Sequence, residues 1–176
     1  MFDGKDSVID LVNTIDVQAV QPEDRFYVKE ILTDRWGESR IVVHGTVYEA
    51  ELLPGFIARF NAVVVGLITF SIQNNECEIV SLDSMREEMG VGNALLQATS
   101  REAIKAGCRR MWLVTTNDNL GALGFYQRRG FLISSIHPGE VEKARKIKPS
   151  IPLVGKNGIP IQDEIHLEID PIRLVE

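Results

Sequence analysis

Apolar and polar positions alternate differently in the two halves of the chain. β-Branched and aromatic runs favour strands, whereas apolar residues three and four positions apart favour helices. The first half predicts one helix, residues 22–36, which begins with Pro and two acids and ends before Gly37. The predicted strands are 15–20, 40–43, 47–52, 56–60, 63–72 and 78–83. The last two, joined by a short connection at 73–76, indicate an antiparallel meander.

The second half of the chain alternates between helical and extended patterns. The predicted helices are 93–106, 120–129 and a charged fragment, 140–147. The predicted strands are 110–116, 131–136 and 165–169. A loop rich in Pro and Gly, 149–160, is expected to form a lid or an edge arm. From residue 78 onward the order of elements changes from hairpins to β-α-β-α-β.

Length and composition narrow the class of protein. A chain of 176 residues with 44% hydrophobic residues can bury the core of one domain. The net charge of −6, without a long Lys/Arg run, argues against nucleic acid as a partner and suits a small cationic molecule better. Residues 1–10 are polar, and no apolar run approaches the roughly 20 residues of a membrane span. We therefore expect a cytoplasmic protein without membrane contact.

The cysteines and histidines do not show metal-ligand spacing. Cys77 and Cys108 lie in apolar surroundings without a CxxC pattern, which favours two reduced, buried thiols. His44, His137 and His166 are far apart in the chain, and we expect no metal. His44 lies on a segment expected to border a substrate site.

A glycine turn between a predicted strand and a predicted helix is the clearest chemical signal. Gly90 and Gly92 let the backbone turn so that several N–H groups face one point, next to the positive end of a helix dipole. This predicts an anion site for a nucleotide or a coenzyme. The turn lacks the third glycine of a Rossmann fingerprint, where Leu95 stands, and it lacks the Gly-Lys-Ser/Thr end of a P-loop.

Met89-Gly90-Val91-Gly92 resembles part of the pyrophosphate loop of the GNAT superfamily of N-acetyltransferases, whose pattern is Gln or Arg, two residues, Gly, one residue, then Gly or Ala. The stretch 119–131, NLGALGFYQRRGF, is similar to the Asn…Ala…Phe-Tyr…Gly-Phe signature of the same family. The two motifs occur in family order, and the resemblance covers about residues 15–169. It departs at Glu87, where relatives carry Gln or Arg, and over 36–58, where strands replace the usual second helix.

The resemblance implies an α/β fold of GNAT type, a mixed twisted sheet of about six to seven strands with splayed central parallel strands and flanking helices. Residues 14–170 are then a single N-acetyltransferase domain, with an N-terminal extension at 1–13 and a C-terminal tail at 171–176. Exposed edge strands make a homodimer a further expectation.

The resemblance also implies acetyl-CoA as co-substrate, held in the gap between two splayed strands. Backbone groups of Leu82, Asp83 and Ser84 are expected to meet the pantetheine arm and the thioester. Asn119 is expected to cap its helix and to hydrogen-bond the pantetheine. Arg128 or Arg129 is expected to reach the ribose phosphate, and the alternative for an arginine at a helix end is an interaction with the helix dipole and solvent. The amides expected to hold the pyrophosphate belong to Met89, Gly90, Val91, Gly92, Asn93 and Ala94.

Two residues are predicted to be catalytic. Glu78, flanked by Ile79 and Val80, is the candidate general base, and the alternative is a structural or solvent-facing strand glutamate. Tyr126 is the candidate acid that protonates the leaving thiolate, and the alternative is a core aromatic.

The function implied is transfer of acetyl from acetyl-CoA to a primary amine of a small molecule or peptide, by direct attack in a ternary complex. The alternative is a non-catalytic acyl-CoA-binding or regulatory module. Residues 39–53 and 138–159 are expected to select the acceptor.

Overall fold

The computed structural model describes residues 14–86 and 89–176. The strands are β1 (Asp16–Ala19), β2 (Arg40–Val43), β3 (Thr46–Glu49), β4 (Gly55–Phe60), β5 (Val63–Gln73), β6 (Glu76–Ser84), β7 (Arg110–Thr116), β8 (Leu132–His137) and β9 (Glu164–Ile169). The α-helices are α1 (Arg25–Trp36), α2 (Val91–Lys105), α3 (Leu120–Gln127) and α4 (Glu140–Ile147). Short 3-10 turns cover Pro22–Asp24, Ala50–Leu52 and Pro171–Leu174. Most predicted elements are present, with ends that differ by one to three residues.

Seven strands form one mixed sheet in the order β1-β4-β5-β6-β7-β9-β8. Only β6 and β7 run parallel in this sheet, and its other neighbours are antiparallel. Strands β2 and β3 form a separate hairpin. The sequence predicted two extended segments here but not their pairing with each other. The predicted α/β fold with a mixed sheet of six to seven strands is confirmed.

Helices cover both faces of the sheet. On one face α2 and α3 pack over the main core, which includes Leu95, Leu96 and Phe131. On the other face α1 and the β2–β3 hairpin cover a smaller core that includes Leu32 and Ile57. Helix α4 contacts β2 on this second face. Each face therefore has its own apolar layer, and the centre of the sheet is buried.

Three hairpins close through two-residue turns with left-handed residues. Asn74 and Asn75, with φ of 53° and 60°, join β5 to β6. Positive φ at both central residues is the pattern of a type I′ turn, which matches the twist of the strands. His44, with φ of 41°, and Gly45 form the corresponding turn between β2 and β3. His44 is thus held in a backbone conformation that non-glycine residues rarely adopt.

The pairing of β6 with β7 stops halfway along the two strands. Only Glu76 to Ile79 pair with Arg110 to Leu113, although β6 continues to Ser84 and β7 to Thr116. The register of β5 against β6 shifts between Thr69 and Phe70, which leaves Val80 as an extra residue of β6. Such a bulge bends a strand. The strands separate from this point and leave a wedge-shaped opening, called the gap below.

The two ends of the chain differ. The predicted extension at 1–13 lies outside the described residues. The predicted tail at 171–176 includes the turn Pro171–Leu174, in which Leu174 joins the main core and the Pro171 carbonyl accepts a hydrogen bond from Ser100. Among residues 14–86 and 89–176, none of the helices has the length and apolar content needed to cross a bilayer.

Candidate active site

Two cavities border the gap, one on each face of the sheet. The first, the glycine cavity, has a volume of about 670 Å³ and lies beside α2 and α3. The second, the apolar cavity, has a volume of about 470 Å³ and lies beside α1, β2 and α4. Both volumes fall in the range of small-molecule sites. Leu82 and Ser84 of β6 line the first cavity, whereas Val80 of β6 and Val114 of β7 line the second.

The glycine cavity contains most of the residues that the motifs singled out. Seven predicted site residues line it: Leu82, Ser84, Gly90, Val91, Gly92, Tyr126 and Arg128. Gly90 has a φ of 76° as the residue before α2, and its carbonyl accepts the N–H of Ala94 as the first bond of that helix. The first N–H groups of a helix have no partner within it. The amides that start α2 are therefore available to a ligand in this cavity.

Gly92 is explained by packing as well as by ligand access. A Cβ atom on Gly92 would lie 2.8 Å from Cζ of Phe125, a residue of α3. Phe125 is also stacked by the Arg129 guanidinium, 3.6 Å from the ring centre, and its carbonyl accepts a hydrogen bond from Arg129 at 2.9 Å. The glycine thus lets α2 approach α3 and sets the width of the cavity.

Three arginines, Arg86, Arg128 and Arg129, give the glycine cavity a positive wall. Within the described residues, Nε of Arg129 is buried and has no hydrogen-bond partner. Burial lowers the pKa of Arg129, and the charge of Arg128 lowers it further. An anion in the cavity would relieve both effects. This wall matches the chemistry of a phosphate group.

Tyr126 lies in α3 with its ring against Phe125 and Phe131 and only 7% of its surface exposed. Burial raises the pKa of Tyr126, and the carboxylate of Asp83 adds to the increase. The phenol is therefore protonated at neutral pH, as a proton donor must be.

Asp83 contributes its side chain to the opposite face. Its carboxylate accepts a hydrogen bond from the Trp36 indole at 2.9 Å and lies 3.4 Å from Nε of Arg35. Burial raises the pKa of Asp83, while Trp36 and Arg35 oppose the increase. The side chain thus fixes the end of α1, and only the backbone of Asp83 can serve the gap.

The remaining predicted cofactor residues do not line the glycine cavity. Met89 packs against the main core, and Asn93 and Ala94 belong to the first turns of α2. Asn119 lines the apolar cavity, and its side chain accepts the N–H of Ala122 at 3.2 Å, which makes it the cap of α3. Glu87, the departure from the family pattern, lies outside the described residues.

Glu78 lies in the paired half of β6 and lines neither cavity. Its Oε1 is 2.7 Å from Nε2 of His44, and its Oε2 accepts a hydrogen bond from the Tyr48 hydroxyl at 2.6 Å. The hydrogen bond to Glu78 raises the pKa of His44 despite burial. Burial and the same carboxylate raise the pKa of Tyr48. Glu78 therefore ties the β2–β3 hairpin to the sheet.

The apolar cavity is walled by side chains from distant parts of the chain, among them Ile41, Val43, Val114 and Ile161. Residues 141–152 close one side, so the two segments expected to select an acceptor do border this cavity. Arg145 holds that side in place, since its guanidinium donates to the carbonyls of Pro152 and Ile161 at 2.7 and 2.5 Å.

Sequence reasoning missed Glu164, which lines the apolar cavity at the start of β9 and is only 3% exposed. Its two oxygens lie 3.1 and 3.2 Å from the backbone nitrogen of His44. Burial opposes its ionisation, but the His166 ring and the His44 N–H outweigh burial and lower the pKa of Glu164. The sequence offered only the alternating pattern that follows it, which does not mark the first residue as a site.

Comparison with known proteins agrees with this geometry. The acetyltransferase (GNAT) family model matches residues 19–131, and the chain belongs to that family. The uncharacterized protein YdhI of Bacillus subtilis is 44% identical over 142 residues, which cover 78% of this chain and 89% of the relative.

Solved structures show the same fold. The IAA acetyltransferase from Bacillus cereus superposes with a TM-score of 0.65 at 18% identity, covering 89% of this chain and 99% of that one. A GNAT family acetyltransferase from Elizabethkingia anophelis, crystallised with acetyl-CoA bound, gives a TM-score of 0.61 at 20% identity, with 89% and 97% covered.

Proposed function

We propose that the protein transfers an acetyl group from acetyl-CoA to a primary amine of a small molecule or peptide. The observation that carries this proposal is the gap between β6 and β7, with a basic, glycine-lined cavity on one face and an apolar cavity with a buried carboxylate on the other. A donor and an acceptor that enter from opposite faces would meet where the strands separate.

The residues of the glycine cavity fit the coenzyme. The amides at the start of α2 and the three arginines suit its phosphates. The Nε of Arg129, which has no hydrogen-bond partner among the described residues, would gain an acceptor from a phosphate. The free edge of β6 beyond Ile79 can pair with the amide-containing pantetheine arm. Acetyl-CoA in the Elizabethkingia anophelis structure supports the assignment.

The chemistry follows from what faces the gap. The amine attacks the thioester carbonyl, the C–N bond forms, and the C–S bond breaks to release a thiolate. Backbone N–H groups around Leu82 and Asp83 would stabilise the charge on the carbonyl oxygen. Tyr126, protonated and at the cavity wall, would donate its proton to the thiolate. Because Glu78 lines neither cavity, it would accept the proton of the amine through water.

A second function, acyl-CoA binding without catalysis, is favoured by one observation. Both oxygens of Glu78 are engaged, by His44 and Tyr48, in a contact that anchors a hairpin. A carboxylate whose two oxygens are both held in this way has less freedom to reach an incoming amine.

Two measurements on the purified protein test the proposal. Calorimetry measures acetyl-CoA affinity, and a thiol reagent measures CoA release with a panel of primary amines. We expect binding together with amine-dependent release. Tight binding without release on any amine would support the binding module instead, and absence of acetyl-CoA binding would exclude both.

The proposal includes a homodimer formed through β8. This strand is one edge of the sheet, and three of its large apolar side chains, Leu132, Ile133 and Ile136, are 66%, 45% and 56% exposed. Edge strands of this kind pair readily with a second copy. Light scattering should give twice the chain mass, and the double variant Leu132→Lys/Ile136→Lys should give the monomer mass. A monomeric wild-type protein would contradict this part of the proposal.

A further inference from the structure

We propose that the apolar cavity selects a small primary amine with an apolar body, such as an arylalkyl or alkyl amine, and that Glu164 binds its ammonium group. This inference rests on the proposed function, because it assigns the acceptor to the second face of the gap. It follows from the charges, the partners and the shape of this cavity.

The wall of the cavity is aliphatic over most of its surface. Ile41, Val43, Val80, Val114 and Ile161 face it from four different strands and loops. Apolar surface of this kind contributes affinity for a hydrocarbon group roughly in proportion to the area that it removes from water. A polyamine could place one ammonium group at Glu164, but its further charges would lose hydration against this apolar wall.

The two cations at the cavity, Lys148 and Arg35, already have partners within the protein. Nζ of Lys148 is 2.9 Å from the Arg40 carbonyl, 3.3 Å from the Trp36 carbonyl and 3.7 Å from Glu38. Burial lowers the pKa of Lys148 despite the opposing charge of Glu38. Arg35 is paired with Asp83 at 3.4 Å. The Lys148 ammonium is therefore not free to bind a carboxylate on the acceptor, and the Nε of Arg35 is engaged by Asp83.

The carboxylate of Glu164, unlike the Lys148 ammonium, can accept further hydrogen bonds. An ionised carboxylate can accept about four hydrogen bonds, and its hydrogen-bond donor within residues 14–86 and 89–176 is one backbone N–H, that of His44. The ring nitrogen Nε2 of His166 lies 3.9 Å from Oε2, within reach of an ionic interaction but beyond hydrogen-bond distance. A buried anion with free lone pairs in an apolar cavity is the complement of an alkylammonium ion.

The position of His44 connects this binding site with the proposed base. Its backbone N–H contacts Glu164, while its ring contacts Glu78 at 2.7 Å. The left-handed conformation of His44, with φ of 41°, lets one residue reach both carboxylates. His44 is therefore the residue that lies between an ammonium group bound at Glu164 and Glu78, the group proposed to take its proton, along this chain of contacts.

The test compares amines that differ in one feature. 2-Phenylethylamine and hexylamine carry an apolar body, phenylalanine adds a carboxylate to the same ring, spermidine adds charges, and a hexapeptide presents a free N-terminus. We expect kcat/KM for the two apolar amines to exceed that of the other three by about tenfold or more. Highest activity on the peptide, on spermidine or on phenylalanine would overturn the proposal.

The substitution Glu164→Gln keeps the shape of the side chain and removes its charge. We expect the KM for 2-phenylethylamine to rise about 10- to 100-fold, the scale of a hydrogen bond to a charged group, with acetyl-CoA affinity unchanged. Glu164→Asp keeps the charge and should restore part of the loss. Glu168→Gln is the matched control on the same strand, since Glu168 pairs with Arg110 and lines neither cavity. An unchanged KM in Glu164→Gln would overturn the assignment.

Direct binding separates failure of this inference from failure of the proposed function. Calorimetry with 2-phenylethylamine in the presence of CoA should show binding to the wild-type protein and at least tenfold weaker binding to Glu164→Gln. That result without turnover would contradict acetyl transfer and support the amine site. Turnover of amines with equal binding to both proteins would contradict the amine site alone.

Discussion

The two cavities that border the gap are built in different ways. The glycine cavity takes its wall from three short stretches, 82–86, 90–92 and 121–129, and it is basic. The apolar cavity takes its wall from at least six segments between residues 35 and 164, and its carboxylate comes from the last strand. A site for a constant coenzyme can be encoded locally by a turn and a helix start, whereas a site for a particular acceptor depends on which distant side chains the fold brings together.

The largest effect is expected in the wall of the glycine cavity, at Tyr126. Tyr126→Phe removes the proposed proton donor but keeps the ring against Phe125 and Phe131. We expect kcat to fall about 10²- to 10⁴-fold, the usual contribution of general acid catalysis, with little change in acetyl-CoA affinity. Steady-state kinetics and calorimetry measure the two quantities.

Tyr27→Phe is the control for this substitution, because Tyr27 is 56% exposed on α1 and lines neither cavity. Equal kcat in Tyr126→Phe and the wild-type protein would remove Tyr126 from the mechanism. The glycine cavity would then bind the acetyl donor without supplying the proton for the leaving thiolate.

The difference in construction explains what the sequence could predict. The turn at Gly90 and Gly92 and the helix that carries Tyr126 are each a continuous stretch of sequence, so spacing and motif were sufficient to predict a phosphate site there, and the structure brings both stretches to one cavity. Glu78 was recognised as a strand glutamate, but its partners His44 and Tyr48 are 34 and 30 residues away in the chain. Their contact depends on how the β2–β3 hairpin folds over the sheet, which no local pattern specifies.

Glu164 shows the same limit more clearly. The alternating residues that follow it predicted a strand, and the structure adds only Glu164 at its start. What makes this residue a candidate site is its burial beside α1, α4 and the end of β7. Those neighbours lie up to about 130 residues away along the chain, and it is the order of the strands in the sheet that brings them close to Glu164.

The second prediction concerns the packing that shapes the glycine cavity. Gly92→Ala places a methyl group 2.8 Å from Phe125. Overpacking of this kind costs about 1 to 3 kcal/mol of unfolding free energy. Because either α2 or the Phe125 ring, which lines the same cavity, must shift, we also expect acetyl-CoA affinity to fall about tenfold, or 1.4 kcal/mol. Urea unfolding and calorimetry measure the two changes.

Gly121→Ala is the matched control for the second prediction. Gly121 lines the same cavity, but a Cβ atom there meets nothing within 4 Å. Alanine in a helix is more stable than glycine by up to about 1 kcal/mol. We expect equal or greater stability and nearly unchanged affinity. If Gly121→Ala weakens acetyl-CoA binding as much as Gly92→Ala, crowding of the ligand rather than helix packing would explain both.

The smallest effect is expected on the acceptor side, at the contact that holds the hairpin. The hydrogen bond to Glu78 raises the pKa of His44 in the folded protein. The pKa of this histidine in the unfolded chain is about 6.5. Because its pKa is higher in the folded protein, the contact gives its full stabilisation below about pH 6.5 and loses it as the pH rises through the folded-state pKa. His44→Asn should therefore reduce stability more at pH 6 than at pH 9, by about 1 kcal/mol.

Asparagine is chosen for this test because it tolerates the left-handed conformation that His44 adopts but is too short to reach Glu78 as the ring does. Any strain that remains is independent of pH, so the difference between pH 6 and pH 9 isolates the charged contact. Thermal unfolding across this range measures it, with His137→Asn as the control, since His137 is exposed on the edge strand β8 and its ring contacts Ser135 and His166 rather than Glu78. A loss of stability that is equal at both pH values would show that His44 holds the hairpin through packing rather than through its charge. The contact between His44 and Glu78 would then not be an ion pair, and this difference between the two faces of the gap would disappear.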